Sequence, residues 1–371
     1  MAWQDNIVRD RRALHRIPEL GFQEHKTRDY LWTRLREMGL QPQAVGPTGI
    51  IADVAGTRAG KRFAVRADID GLPLPEETGL PFASEHSGLM HACGHDAHMA
   101  ILLGLAQRLV DEKDFRGQVR LLFQPAEERP PGGALQLIEG GALEQVDEVY
   151  GLHIWANLPV GAVGLRAGPM MANADQFTIR IKGLGGHGSQ PQATKDAVLI
   201  AAQIVVNLQT IVSRRVRPFD PVVISCGTIH GGHTFNIIAE TAEITGTVRT
   251  FSTTVQEWVA EEINRVAART AALYDAKAEM EYQKGYPAVV NHAENTRRWE
   301  EKLQGLVEVV RVDPDMGGED FSYYLQHKPG AFLFLGGAPA DAVAPHHSPH
   351  FLIDEEALPF GVEVLYRALT D

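Results

Sequence analysis

Gln176-Phe-Thr-Ile-Arg-Ile-Lys182 reads as a β-strand, with apolar side chains at every second position. Asp196–Ser213 reads as a helix, Pro221–Ile229 and Ala242–Thr250 as strands, Thr254–Leu273 as a helix and Ala276–Tyr282 as a closing strand. This β-α-β-β-α-β order predicts a compact α+β unit of the split βαβ type. Outward from it, on both sides, the rhythm is that of an α/β layer. The first forty residues are helical in spacing, broken at Pro18, and short apolar strands follow at Gly49–Val54 and Arg62–Arg66. A turn-rich stretch, Asp70 to Gly88, precedes a helix from about His98 to Val110, a strand Gly117–Phe123, a helix Gly133–Gly140 and a strand Glu148–His153. After Tyr286-Pro287 come a helix near Glu294–Val310, a strand Ala331–Leu335 and a last helix Glu355–Leu369. The expectation is an α/β domain formed by 1–172 and 286–371, interrupted by an inserted domain at 173–285.

Composition narrows the function. The chain has 371 residues with 44% hydrophobic, 35 Lys plus Arg against 47 Asp plus Glu, and a net charge of −12. That acidic balance argues against nucleic acid as a partner. Ala197 to Val212, the longest apolar stretch, is interrupted by Gln203, Asn207 and Gln209, so no membrane span is expected. No secretory signal pattern is visible at the N-terminus, and with only Cys93 and Cys226 a disulfide framework is not expected. A reducing cytoplasm is the expected setting.

Chemistry concentrates in Met90-His-Ala-Cys-Gly-His-Asp-Ala-His98, where three imidazoles and a thiol precede a helix. Thiolate and imidazole are good ligands for divalent transition metals, and Gly94 makes a turn between Cys93 and His95 easy. Phe123-Gln-Pro-Ala-Glu-Glu128 places two carboxylates beyond a strand's carboxyl end, where α/β sheets bind ligands. One can bind a metal while its neighbour holds a proton for a water. His153 ends an apolar strand, and Ala344-Pro-His346-His347-Ser-Pro-His350 is a stiff loop with three histidines. Asp68 and Asp70 are candidates to orient a ligand imidazole. Taken singly, each has a bland alternative: a helix start, a solvated loop, a capping histidine. One site built from several strand ends explains them together. A G-x-G-x-x-G match at Gly183–Gly188 is followed by Pro191 before any helix, which speaks against a dinucleotide fold. A cysteine-nucleophile hydrolase around Cys93 leaves Glu127, Glu128 and His347 unexplained.

The ordered set of motifs resembles the aminoacylase and glutamate-carboxypeptidase family of dinuclear metallopeptidases, in its amidohydrolase branch of hippurate hydrolases, auxin-conjugate hydrolases and N-acyl-L-amino-acid amidohydrolases. It runs through Leu14-His-Arg-Ile-Pro-Glu-Leu-Gly, Arg66-Ala-Asp-Ile-Asp-Gly-Leu-Pro, the Cys93 segment, Phe123-Gln-Pro-Ala-Glu-Glu, Gly151-Leu-His, Gly185-Gly-His-Gly-Ser-Gln-Pro, Gly246-Thr-Val-Arg, Gly317-Gly-Glu-Asp-Phe-Ser and His347-Ser-Pro-His-Phe. The resemblance implies a zinc-peptidase-like catalytic domain with an inserted lid that dimerises the protein. It also implies two divalent ions per subunit (zinc, manganese, cobalt or nickel) held by Cys93, His95, Glu128, His153 and His347. Glu127 would be the general acid/base, and His187 from the lid would stabilise the oxyanion in a partner subunit. Asn236 and Arg249 would contact substrate, with Asp68 supporting the ligands. The wider family has His-x-Asp where this chain has Arg66-Ala-Asp68, and Asn-Val-Ile-Pro where it has Asn236-Ile-Ile-Ala. The expected activity is hydrolysis of N-acyl-L-amino acids by a homodimer or homotetramer, with a dipeptidase or carboxypeptidase as the alternative. A binding protein that lacks catalysis would have no use for Glu127.

Overall fold

The computed structural model describes residues 2–339 and 344–370, in two compact units. One contains Met1–Met170, Val289–Asp313 and Asp320–Asp371, and the other Met171–Ala288 and Pro314–Glu319. The short segment Pro314–Glu319, assigned from sequence to the α/β part, thus belongs with the inserted unit. Met1 and Asp371, the outer limits of the expected domains, lie outside the described residues.

The first unit is built on an eight-stranded mixed sheet. Its order is Gln43–Val45, Gly49–Ala55, Arg116–Gln124, Arg58–Asp68, Glu148–Pro159, Gly330–Ala338, Ala162–Leu165 and Glu308–Arg311. The four strands from Arg116–Gln124 to Gly330–Ala338 are mutually parallel. Leu121, Leu122, Phe123, Val149, Tyr150, Leu333 and Leu335 are fully buried, as expected for strands covered on both faces. Helix His95–Asp111 is buried over nearly its whole length and packs beside Ala2–His15 and Ala357–Thr370.

Two local expectations needed correction. Helix Ala293–Leu303 stops well short of Val310, because Gly305 takes a left-handed φ of 79° just beyond its end. The following Val309-Val310, stiff at χ1, joins strand Glu308–Arg311, parallel to Ala162–Leu165. The strand expected to end at His153 runs to Pro159, so His153 lies within it rather than at its tip. The pairing with the neighbouring strand ends at Arg66 opposite Gly151, however, so His153 lies two residues past it, level with Asp68 at that strand's carboxyl end.

The second unit is an antiparallel sheet in the order Val223–Gly231, Thr241–Thr250, Asn173–Lys182, Lys277–Tyr286. Helices Ala197–Arg214 and Thr253–Ala272 bury the sheet face carrying Phe177, Ile179 and Ile181. Asp196 caps the first helix, its carboxylate accepting from Val198 N–H at 2.9 Å and Leu199 N–H at 3.2 Å. By length and composition alone, Ala197–Arg214 is apolar enough to cross a membrane, a test that buried core helices also pass. Here Ile200, Ile204, Leu208 and Ile211 recur at helical spacing and are fully buried on the sheet.

Candidate metal centre

The carboxyl ends of the central parallel strands deliver the site. Arg58–Asp68 ends on Asp68, and Arg116–Gln124 leads through Pro125 and Ala126 to Glu127 and Glu128. Ala126 has a left-handed φ of 52°, an unfavourable conformation for a non-glycine residue. The Glu24 carboxylate holds it there, accepting the Ala126 N–H at 2.8 Å. Gly94, with φ of 90°, turns the chain between Cys93 and His95. A Cβ there would lie 2.3 Å from Ile154 Cγ2, so only glycine fits. His347, with φ of 63°, is tied to this turn by its N–H donating to the Ala92 carbonyl at 2.9 Å.

The expected ligands of the first unit converge. Cys93, His95 and His153 each offer a ligand atom within 4.8 Å of the others, as do Cys93, Glu128 and His347, and His95, Glu127 and Glu128. Cys93 Sγ lies 3.3 Å from His153 Nε2, and Glu128 Oε1 lies 3.1 Å from His347 Nε2 and 3.9 Å from His95 Nε2. His95 Nδ1 faces the Asp70 carbonyl at 2.9 Å, which leaves Nε2 aimed at the cluster. His95 Nε2 and Glu128 Oε1 are buried and make no well-formed hydrogen bond, although Glu128 Oε1 faces the ring nitrogens of His347 and His95. Buried polar atoms are ordinarily paired, so these two fit a cation. Burial, with Glu128 and Glu127 nearby, pushes the Cys93 thiol well up, whereas a cation would favour its thiolate. Burial also holds the His153 pKa well below its ordinary value, keeping the neutral form that binds metals.

A polar frame supports the cluster from below. Arg66 is fully buried and donates to Asp68 Oδ2 at 2.6 Å, Asp320 Oδ1 at 2.8 Å and Gln124 Oε1 at 2.9 Å. Burial favours a neutral Asp68, but Arg66, His95 and His98 overcome it and hold this carboxyl well below the carboxylate range. Asp70 ties the same frame to the cluster, its Oδ2 accepting the Glu128 N–H at 3.0 Å. Sequence reasoning noticed Arg66 only as a departure and gave Asp320, Gln124 and Glu24 no role. Asp320 and Gln124 meet Arg66, and Glu24 meets Thr48 and Ala126, only through the fold, and nothing in the spacing announces it. His91 is wholly buried and burial takes its pKa down to about 3, a neutral core residue.

The remaining candidates belong to the second unit. His187 is exposed, and its Nδ1 accepts from Ser189 N–H at 3.1 Å. It pairs with Ile237 in a two-stranded ribbon, beside the exposed Asn236, whose carbonyl accepts the Gly188 N–H at 2.8 Å. Arg249 is half-buried in its strand and donates to Thr247 Oγ1 and to the Val248 carbonyl, the latter at 3.2 Å. Burial lowers its pKa, against the pull of Asp175.

Glu24 gives a pH-dependent prediction. Burial pushes its carboxyl up to about 7, despite hydrogen bonds from Thr48 and Ala126. Between its ordinary 4.5 and about 7 the folded protein therefore holds a proton that the unfolded chain has released. Stability contributed by this group falls as pH rises through that window. Glu24→Gln, which keeps an acceptor for the Ala126 N–H without the charge, gains Tm relative to the parent between pH 5 and pH 8. A Tm difference that stays constant with pH would refute this.

Comparison with known proteins extends this picture. Residues 64–371 match the pattern of peptidase family M20/M25/M40. An N-acetyl-L-cysteine deacetylase of Bacillus subtilis is 42% identical over 98% of this chain and 88% of its own length. Thermostable carboxypeptidase 1 of Saccharolobus solfataricus is 40% identical over 96% of this chain and 93% of its own. The crystal structure of the Bacillus subtilis YXEP protein, described as a dinuclear metal-binding peptidase from the M20 family, superposes with a TM-score of 0.88. It is 36% identical, covering 99% of this chain and 97% of the other.

Proposed function

Since the chain belongs to peptidase family M20/M25/M40, we propose that it is a metal-dependent amidohydrolase that cleaves N-acyl-L-amino acids to a carboxylic acid and a free amino acid. The observation that carries this reading is the convergence of buried Cys93, His95 and His153 with partly buried Glu128 and exposed His347, around His95 Nε2 and Glu128 Oε1, two buried atoms that make no hydrogen bond, with Glu127 alongside. These five side chains would hold two divalent ions, and the mixed thiolate, imidazole and carboxylate set suits zinc, manganese, cobalt or nickel. A metal bound there would supply Lewis acidity, lowering the pKa of the attacking water and favouring attack on the amide carbonyl.

The protein's own groups do the rest. Glu127 takes the proton of the attacking water and returns it to the leaving amine. His187 donates to the developing oxyanion of a neighbouring subunit in a homodimer or homotetramer built through the second unit, which acts as lid. Arg249 pairs with the substrate carboxylate, exchanging its internal acceptors for a charged one, and Asn236 contacts the substrate. Asp68 carries the negative charge that orients the ligand imidazoles from behind. Two cysteines and no disulfide framework suit a cytoplasmic enzyme. The carboxypeptidase of Saccharolobus solfataricus supports a second reading, a peptidase using the same centre.

Both readings are tested by one panel of N-acetyl, N-benzoyl and indoleacetyl amino acids with dipeptides, assayed as purified, after chelation and after return of single metals. Chelator-sensitive, metal-restored release of free amino acid from the acylated substrates is the expected result. Turnover of dipeptides alone would replace the substrate class, and turnover indifferent to chelation would overturn the metal centre.

A further inference from the structure

The backbone of Ile154 is a node on which three histidines meet. Its N–H donates to His98 Nε2 at 2.8 Å, while its carbonyl faces His153 Nδ1 at 2.8 Å and His346 Nε2 at 3.0 Å. These contacts fix the ring protons. His98 Nε2 accepts, so its proton is on Nδ1, which lies 2.6 Å from Asp68 Oδ1. A carbonyl can only accept, so His153 carries its proton on Nδ1 and His346 carries one on Nε2. His153 Nε2 is then the lone-pair atom, and it is the one 3.3 Å from Cys93 Sγ. The Ile154 side chain fills the space that a Cβ on Gly94 would need, in the turn between Cys93 and His95. His346 immediately precedes His347. One residue therefore touches all three segments that carry Cys93 and His95, His153, and His347.

His98 also sits within 4.8 Å of ligand atoms on Asp68 and His95, which raises a third cation site as an alternative. Both nitrogens of His98 are committed, to Asp68 and to Ile154, and Asp68 Oδ2 is taken by Arg66 at 2.6 Å. No donor atom of that trio except His95 Nε2 is left for an ion.

We propose that His98 and His346 are positioning residues that hold the Ile154 backbone so that His153 presents its Nε2, and His347 its ring, to a metal ion. This rests on the reading of His153 and His347 as ligands. Groups that orient metal-binding histidines in this way are typically worth about 10–100-fold in metal affinity.

The test uses the purified full chain, stripped with chelator and titrated with zinc against a chromophoric competitor, together with ¹⁵N spectra of the histidine rings in the stripped protein. His98→Leu and His346→Phe are each expected to weaken the binding of one zinc ion by about 10–100-fold. His98→Gln recovers most of the loss, because its amide oxygen can accept from Ile154 while its NH₂ donates to Asp68. A purely structural role for His98 would be met by the isosteric apolar Leu and would not separate Leu from Gln. In stripped wild type, His153 and His98 are expected as Nδ1–H tautomers. His153 protonated at Nε2 overturns the proposal without any variant, which keeps it decidable if His98→Leu fails to fold. Zinc affinity unchanged in both apolar variants overturns it too. A wild type that binds no zinc would instead overturn the metal centre itself.

Discussion

Glu127→Gln keeps its metal content and loses about 10²–10⁴-fold in kcat, the usual worth of a well-placed general base. Glu127 is 7% exposed and shares the cluster of His95 and Glu128, yet it is Glu128 whose Oε1 faces both His95 and His347. On the proposed reading the two adjacent carboxylates divide the work. Glu128 points where two imidazoles converge, and Glu127 is left to handle a proton. Glutamine preserves the volume and one acceptor oxygen but cannot take a proton, so the variant separates catalysis from assembly of the site. The measurement is metal content by elemental analysis beside kcat on an N-acetyl amino acid. A rate close to the parent's with full metal content would take the base role from Glu127. A rate lost together with the metal would make Glu127 a ligand.

Arg66→Met destabilises the protein by about 3–5 kcal/mol, as expected when one partner of a buried ion-pair network is removed. Arg66 and both its carboxylate partners, Asp68 and Asp320, are fully buried. Asp320 also accepts from Gln124 Nε2 and from the Ala134 N–H at 3.1 Å. Even with Arg66 present, burial pushes Asp320 up to about 6. Methionine fills the space of the arginine stem but leaves two carboxylates with no cation between them. The double variant Arg66→Met/Asp320→Asn regains part of the loss, because one of the stranded charges is gone. Denaturant unfolding measures both. A loss below about 1 kcal/mol for Arg66→Met, the scale of an exposed pair, would mean that the network is solvated and not structural.

Arg66 also accounts for the departure seen in the Arg66-Ala-Asp68 motif. Where the wider family resembled here carries a metal-binding histidine, this chain places a cation that cannot ligate a metal. Its charge goes to Asp68 and Asp320 instead. The groups proposed to hold metal are drawn instead from Cys93, His95, Glu128, His153 and His347.

Local pattern was enough to read most of the architecture. The alternation in Gln176–Lys182 and the helical spacing of Ala197–Arg214 reappear as the buried faces of one antiparallel sheet and its helix. Such periodicities record which face of an element is buried, so they are legible one segment at a time. The failures are equally local. The helix expected through Val310 had apolar residues to continue on, but Gly305 ended it, and the partner that made Val309 and Val310 a strand is Ala162–Leu165. No window around Glu308 contains that partner. His153 is expected at a strand tip, yet Ile154-Trp-Ala156 carry the apolar run past it, and the strand continues to Pro159 through its pairing with Gly330–Ala338.

The sequence by itself determined the order of the longer helices and strands, and which side chains have the chemistry to hold a metal and move a proton. Those properties depend on residue type and short spacing. The tertiary structure alone decided which of these groups meet and in what protonation state. Arg66 finds Asp320 across 254 positions, Glu24 holds the strained Ala126 across 102, and His98 and His346 reach the same backbone residue, Ile154, from 56 and 192 positions away. The physical reason is that a hydrogen bond needs its partners placed to a few tenths of an ångström, and that placement comes from the register of parallel strands and the packing of helix His95–Asp111 upon them.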